Sequence, residues 1–186
     1  MDQEKIKKAI KLLLEGIGED PNRPGLIDTP DRVARMYGET LGGMELSAEE
    51  PLSKVFDVES GEMVLEKDIV FYSTCEHHLM PFFGVVHIAY IPDGRVTGLS
   101  KLSRTVEVFA RRLQMQERMT AQIADAIQKE LGCKGVMVMA EAEHTCVSAR
   151  GIKKTGTKTV TCAVRGVFER DKDLQDRFLA FIGRGR

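Results

Sequence analysis

Cysteine and histidine side chains cluster at two places in the sequence and offer five candidate metal ligands. Cys75 and His78 form a C-x-x-H pair that also contains His77, and His144 and Cys146 follow about seventy residues later. In an extended strand, the spacing of the second pair places both side chains on one face. Thiolate and imidazole ligands suit zinc, and a catalytic zinc site normally uses three protein ligands plus water. Two of the five side chains would then remain for proton transfer.

The same residues allow two other interpretations. One is a closed structural zinc site with four protein ligands, and the other is a pair of core cysteines with unrelated surface histidines and no metal. Cys133 and Cys162 lie in apolar or strand contexts, so we expect them to be buried small side chains. We also expect His87, in the middle of a predicted strand, to be a core residue outside the site.

Basic side chains near a predicted helix start could bind an anion. Lys101 and Arg104 follow Ser100 at this start, and Arg150 lies four residues after Cys146. Helix N–H groups combined with lysine and arginine suit a ligand that carries several negative charges. A solvated charged surface is the alternative interpretation.

Gln116 and Glu117 lie at the expected break between two helices. A carboxylate there could accept paired hydrogen bonds from the ring N–H and the exocyclic amine of a guanine, and would reject bases that lack these donors. An ordinary exposed helix residue is the alternative for Glu117. The residue types alone do not establish guanine binding.

Hydrophobic periodicity predicts the elements that must position these side chains. Helices are expected at residues 3–17, 29–41, 100–131 with a break at 114–117, and 172–182; strands are expected at 63–74, 82–92, 135–147 and 157–168. This order predicts an α+β fold in which helices cover one face of an antiparallel four-stranded sheet. The open edges and the other face favour oligomerisation.

Composition narrows the classes of protein that the chain can belong to. The 186 residues are 42% apolar, and 27 basic side chains nearly balance 28 acidic ones, so we expect no nucleic-acid or membrane partner. The sequence lacks both the apolar core of a signal peptide and the roughly 20 apolar residues that span a bilayer. We therefore expect a cytoplasmic protein without disulfides, with a helical region at 1–60 and a catalytic domain at 61–186.

Several sequence segments resemble signature segments of the GTP cyclohydrolase I family. The resemblance covers about residues 29–168 and is carried by TPDRVARMY, STCEHH, YIPDGRVTGLSKLSR, QMQERMTAQIA and HTCVSARGIKK. It implies a ββααββ unit of the tunnelling fold, whose sheets join into an oligomeric barrel. It also implies a homodecamer of two pentamers, with active sites between subunits.

The resemblance implies a role for each candidate side chain. Zinc would be bound by Cys75, His78 and Cys146, and its water would attack C8 of the guanine of GTP. His77 and His144 would transfer protons, and the products would be 7,8-dihydroneopterin triphosphate and formate. The implied substrate-binding residues are Gln116 and Glu117 at the guanine, and Ser100, Lys101, Arg104, Arg150 and Arg32 around the ribose and triphosphate.

Two other functions compete with this expectation. A related tunnelling-fold enzyme would act on another pterin or on a deazaguanine; a nitrile reductase of that group needs a nucleophilic cysteine and a reduced nicotinamide rather than paired cysteines on zinc. A non-catalytic zinc-stabilised scaffold would unfold when the metal is removed and would not bind GTP.

Overall fold

The structure, a computed structural model, describes residues 1–59 and 61–183. The described residues fall into two compact units that divide between Gly42 and Gly43. The domain boundary predicted after residue 60 falls inside the second unit, and residue 60 itself lies outside the described residues.

The first unit contains two helices, α1 (Gln3–Gly16) and α2 (Thr29–Thr40). The Asp2 side chain caps α1 by accepting a hydrogen bond from the Lys5 N–H at 2.9 Å. Lys7 on α1 forms an ion pair with Asp31 on α2, with 2.6 Å between Nζ and Oδ1. Both predicted helices are confirmed to within one residue at each end.

The second unit holds the remaining elements. Each helix or strand that was predicted there begins and ends within three residues of its predicted bounds. In chain order they are α3 (Glu49–Leu52), β1 (Val55–Asp57), β2 (Val64–Cys75), β3 (Pro81–Ile91), β4 (Arg95–Thr97), α4 (Leu99–Ala110), β5 (Leu113–Gln114), α5 (Gln116–Leu131), β6 (Gly135–His144), α6 (Thr145–Ser148), β7 (Lys158–Gly166) and α7 (Lys172–Gly183). The predicted α+β class is confirmed.

The main sheet of the described residues has five strands in the order β5-β2-β3-β6-β7. The four predicted strands pair antiparallel, whereas β5 pairs parallel to the end of β2, with Cys75 opposite Gln114. The predicted number of strands is therefore wrong by one, because two residues between helices are too few to show strand periodicity. A separate two-stranded sheet joins β1 to β4.

Helices α4 and α5 cover one face of the main sheet, where most of the apolar core lies. Phe71 and Phe82 meet there edge to face, with 5.8 Å between ring centroids. A smaller core on the opposite face packs α7 through Phe178, so the prediction that helices cover only one face is wrong in this part. The same face exposes other apolar side chains, among them Val70, Tyr72 and Phe83.

At Gly84, the backbone of β6 leaves no room for a side chain on β3. A Cβ added at Gly84 would lie 1.9 Å from the Glu141 carbonyl oxygen and 2.7 Å from the Ala142 Cα. Because these neighbours are backbone atoms, Gly84→Ala must push the strands apart. We expect it to lower the free energy of unfolding by about 1–3 kcal/mol or more, measured by urea denaturation.

Gly16→Ala is the matched control for this prediction. Gly16 is the last residue of α1, and a Cβ there would meet no heavy atom within 4 Å beyond its chain neighbours and the backbone of its own helix, among the described residues. We expect this variant to be at least as stable as the native protein, because alanine loses less backbone entropy than glycine in a helix. A Gly84→Ala variant as stable as Gly16→Ala would contradict the close approach of the strands.

Candidate metal centre and active site

Three of the five candidate ligands meet in the structure. Cys75 ends β2, His78 follows in the turn after it, and Cys146 lies in α6. Among the described residues, the donor atoms of this group all lie within 4.8 Å of one another. The Cys75 Sγ is 3.9 Å from the Cys146 Sγ and 4.0 Å from the His78 Nδ1. We call Cys75, His78 and Cys146 the metal group.

A tight turn after β2 brings His78 beside Cys75. The Cys75 N–H donates to the Met80 carbonyl at 2.8 Å, and the Leu79 N–H donates to the Cys75 carbonyl at 2.9 Å. Leu79 adopts a left-handed conformation with φ of 54°, which side chains other than glycine rarely take. Backbone hydrogen bonds on both sides therefore fix the position of this turn.

Cys146 reaches the metal group from a helical turn rather than from a strand. Strand β6 ends at His144, and the Thr145 hydroxyl donates to the Pro81 carbonyl at 2.6 Å as the chain enters α6. The prediction that His144 and Cys146 share one face of an extended strand is therefore wrong. The helical turn directs Cys146 towards Cys75, while His144 contacts α5.

The donor set of the metal group fits a metal such as zinc. A closed tetrahedral site needs four ligands. Among the described residues, the metal group supplies three, two thiols and one imidazole. Burial is the largest cause that raises the pKa of the Cys146 thiol above its usual value, and the neighbouring Cys75 raises it further. The two sulfurs are too far apart for a disulfide, which requires about 2 Å, so both remain available as ligands.

His144 lies next to the metal group but belongs to a different set of contacts. Its ring stacks on Phe82, with 4.5 Å between centroids and 5° between planes. Its Nε2 lies 2.8 Å from the Gln116 Oε1. Burial lowers the pKa of His144, and the negative charge of Glu117 acts in the opposite direction. The stacking and the contact with Gln116 hold the ring in place. Because its pKa is lowered, the ring is mostly neutral near pH 7.

His77 lies on the same turn as His78 but points into a more open environment. Its side chain is 61% exposed, and its Nε2 lies 3.9 Å from the Glu76 Oε1. The Arg118 guanidinium donates to the Glu76 carboxylate and holds the pKa of Glu76 below its usual value. Arg118 also donates to the Gln114 Oε1 at 3.0 Å. This ion pair, which the sequence analysis missed, ties the metal-group turn to α5.

The other predicted substrate residues lie in four places. Lys101 and Arg104 line a cavity of about 460 Å³ together with Lys54, and Ser100 is exposed beside them on α4. Arg150 follows α6, and its positive charge opposes the rise in the Cys146 pKa.

Two predicted substrate residues lie apart from these. Arg32 belongs to the first unit, where it forms an ion pair with Asp28 at 3.1 Å. Glu117 is exposed at the start of α5. The substrate roles of all these residues stay predictions.

The fold and the site together define a class: an α+β protein with a three-ligand metal group beside a fixed, half-buried histidine. A family model described as GTP cyclohydrolase I matches residues 6–183 of the chain. The chain therefore belongs to the GTP cyclohydrolase I family. Both the predicted family and the predicted enzyme class are confirmed.

Close relatives match the chain over nearly its whole length. A protein named GTP cyclohydrolase 1 from Clostridium kluyveri is 58% identical over 98% of both chains, and the one from Clostridium perfringens strain 13 matches equally. A protein of the same name from Streptococcus pneumoniae is 55% identical over 98% of this chain and 100% of its own.

Among solved structures, the apo form of an archaeosine synthase QueF-Like is 18% identical, with a TM-score of 0.49, and covers 58% of this chain and 97% of its own. No helix within the described residues has the length and apolar character needed to cross a membrane.

Proposed function

We propose that this protein hydrolyses GTP to 7,8-dihydroneopterin triphosphate and formate, the first step of tetrahydrofolate or tetrahydropterin synthesis. The observation that carries the proposal is the metal group, because it joins two distant segments into a donor set suited to hydrolysis. Identities of 55–58% to proteins named GTP cyclohydrolase 1 support the same substrate.

Zinc is the metal that we propose for Cys75, His78 and Cys146. When bound, zinc lowers the pKa of a water molecule far below its value in bulk water, towards roughly 7, and so supplies a nucleophile for C8 of guanine at neutral pH. The protein contributes two thiolates and one imidazole, held by the end of β2, the following turn and α6. The exposed His78 marks the side on which a substrate can approach.

His77 and His144 are the proposed proton carriers. His144, half-buried and mostly neutral, can accept a proton near pH 7 when water adds to the purine ring. His77, exposed beside Glu76, donates a proton to N7 as the imidazole ring of guanine opens. The two histidines lie in different environments, which allows one to act as a base and the other as an acid.

The remaining predicted residues bind the substrate in this proposal. Glu117 accepts hydrogen bonds from the ring N–H and the exocyclic amine of guanine, and Gln116 is assigned by resemblance to the same base. Positive charge for the ribose and triphosphate comes from a set of side chains on α4, after α6 and on α2. This set consists of Lys101, Arg104, Arg150 and Arg32, with Ser100 beside the first two.

We further propose a cytoplasmic homodecamer of two pentamers, in which tunnelling-fold sheets join into a barrel and active sites lie between subunits. The exposed Val70, Tyr72 and Phe83 on one face of the sheet support this assembly, because an oligomer would bury them. The near balance of acidic and basic residues favours neither a nucleic acid nor a membrane as partner.

Incubation of the purified, zinc-replete protein with GTP tests the proposed reaction. Formate release together with the absorbance change of pterin formation is the expected result. If neither signal appears while zinc is bound and the oligomer is intact, the proposal fails, and another pterin or deazaguanine substrate or a zinc-stabilised scaffold takes its place. Unfolding on metal removal, without GTP binding, would favour the scaffold.

Glu117→Ala tests recognition of the guanine. Loss of a charged acceptor for two N–H donors removes hydrogen bonds worth about 1.5–3 kcal/mol each. We therefore expect GTP affinity to fall by at least about tenfold, while zinc content stays unchanged. Titration calorimetry of GTP on metal-free protein measures this affinity without turnover.

Glu130→Ala is the control for this measurement, because Glu130 lies near the other end of α5, where it pairs with Lys129. Its GTP affinity should equal that of the native protein. Unchanged affinity in Glu117→Ala would remove Glu117 from guanine binding.

A further inference from the structure

From the hydrogen bonds around His144, we infer that Gln116 is a positioning residue that fixes the tautomer of this histidine. Its side-chain amide holds the neutral imidazole of His144 with hydrogen on Nε2 and the lone pair on Nδ1. The inference rests on the proposed function, because His144 is assigned there to proton transfer. It gives Gln116 a role different from the guanine binding that the resemblance implies.

The orientation of the Gln116 amide is fixed by its surroundings. Gln116, the first residue of α5, is only 1% exposed. Its Nε2 lies 3.0 Å from the carbonyl oxygens of Ala140 and Thr159 and 3.1 Å from the Thr161 Oγ1. Carbonyl oxygens only accept hydrogen bonds, so the NH₂ group must occupy this position. The amide therefore cannot be flipped, and Oε1 is the atom that faces His144.

Two threonines complete the network and leave one consistent assignment of its hydrogens. The Thr120 hydroxyl donates to the Gln116 backbone carbonyl at 2.8 Å and lies 2.7 Å from the Thr161 Oγ1. Because Thr120 has used its hydrogen, Thr161 must donate to Thr120. The Thr161 oxygen can then accept from the Gln116 Nε2. Chains of this kind strengthen each member and hold the amide in place.

This orientation determines the protonation pattern of the histidine. The Gln116 Oε1 is an acceptor, so the His144 Nε2, 2.8 Å away, must carry a hydrogen. A neutral imidazole has one N–H, which leaves the lone pair on Nδ1. The stacked Phe82 ring fixes the plane of the imidazole.

A direct role in guanine binding would require the amide to give up these partners. Both polar atoms of the Gln116 side chain already bond within the chain, and the side chain is buried. A residue that binds guanine affects the KM for GTP, whereas a residue that acts through His144 affects kcat. The two roles therefore predict different kinetics.

A double-mutant cycle on Gln116→Leu and His144→Ala tests the inference, with formate release at saturating GTP as the readout. We expect Gln116→Leu to lower kcat by roughly 10–100-fold, by analogy with the loss of partners that orient metal-binding histidines, with little change in KM. In the His144→Ala background it should cause no further loss. Equal losses in both backgrounds, or a raised KM with unchanged kcat, would overturn the inference.

Gln128→Leu is the matched control for loss of a glutamine amide from the same helix. Gln128 donates to the Cys133 carbonyl at 2.6 Å, at the far end of α5. We expect this variant to lose stability but to keep kcat within about twofold. A loss of kcat as large as that of Gln116→Leu would mean that damage to α5, rather than the histidine tautomer, causes the effect.

Nitrogen-15 NMR of the histidine rings gives a second readout that does not depend on activity. In metal-free protein at about pH 8, the native His144 should show a protonated Nε2 and an unprotonated Nδ1, and Gln116→Leu should show a mixture of tautomers. The signal that is lost in His144→Ala identifies the residue. A native Nδ1–H tautomer, or an unchanged pattern in Gln116→Leu, would overturn the inference. Absence of formate release by the native protein would instead contradict the proposed function.

Discussion

Cys146→Ser should lose both the bound zinc and the release of formate from GTP. The Cys146 sulfur lies 3.9 Å from the Cys75 sulfur in a group of three donors, so one third of the protein ligands would be lost. A serine hydroxyl does not replace the soft thiolate that zinc accepts. Changes to the residues that support a metal's ligands lower metal affinity by roughly 10–100-fold. Loss of a ligand itself should lower the zinc affinity by more than this. Metal analysis after dialysis and a formate assay measure the two losses.

Cys162→Ser provides the control for a change of cysteine to serine. Cys162 is exposed on β7, because Thr161 before it faces α5 and side chains alternate along a strand. The prediction that Cys162 is buried is therefore wrong, whereas Cys133 is buried as predicted. The Cys162 variant should keep its zinc and its turnover. Full zinc occupancy with full activity in Cys146→Ser would disprove the assignment of Cys146.

His144→Ala should keep its zinc but turn over GTP about 10²–10⁴ times more slowly. General acid–base catalysis by a positioned histidine contributes about this factor. His144 is fixed by Phe82 and Gln116 rather than by the metal group, so its loss should leave the ligands in place. Zinc content and kcat at saturating GTP, measured on the same sample, separate the two effects.

His87→Ala is the control for loss of another histidine from the same sheet. His87 is 1% exposed, and its Nδ1 accepts a hydrogen bond from the Asp68 N–H at a bulge in β2. It lies outside the metal group, as predicted. This variant should be less stable but should keep the kcat of its folded fraction. Unaltered turnover in His144→Ala would remove His144 from the mechanism, and loss of zinc would make it a ligand instead.

Part of the metal group could be predicted from local sequence, and part could not. Cys75 and His78 lie three residues apart, so one turn suffices to bring them together, and the C-x-x-H spacing indicates this directly. Cys146 was selected by resemblance, and the strand geometry expected for it was wrong. The chain leaves β6 at His144 because Thr145 bonds to Pro81 on another strand. No local pattern indicates such a contact.

The helices and strands also divide into those that the local sequence predicts and those that it does not. Long periodic segments predicted the five longer helices and the four main strands to within three residues, but not the four-residue helices α3 and α6. Strands β1, β4 and β5 have only two or three residues and carry no periodic signal. The burial of Gln116 depends on contacts with residues 24 to 45 positions away in the chain. The sequence alone therefore placed it at a helix start but did not indicate its partners.

Removal and return of the metal, with GTP labelled at C8, tests the central claim most directly. We predict that the native protein releases the label as formate, that stripping zinc from the metal group abolishes this release, and that added zinc restores it. Circular dichroism before and after stripping shows that the protein remains folded. Release of labelled formate at an undiminished rate by folded, zinc-free protein would contradict the account, as would no release by the zinc-loaded protein.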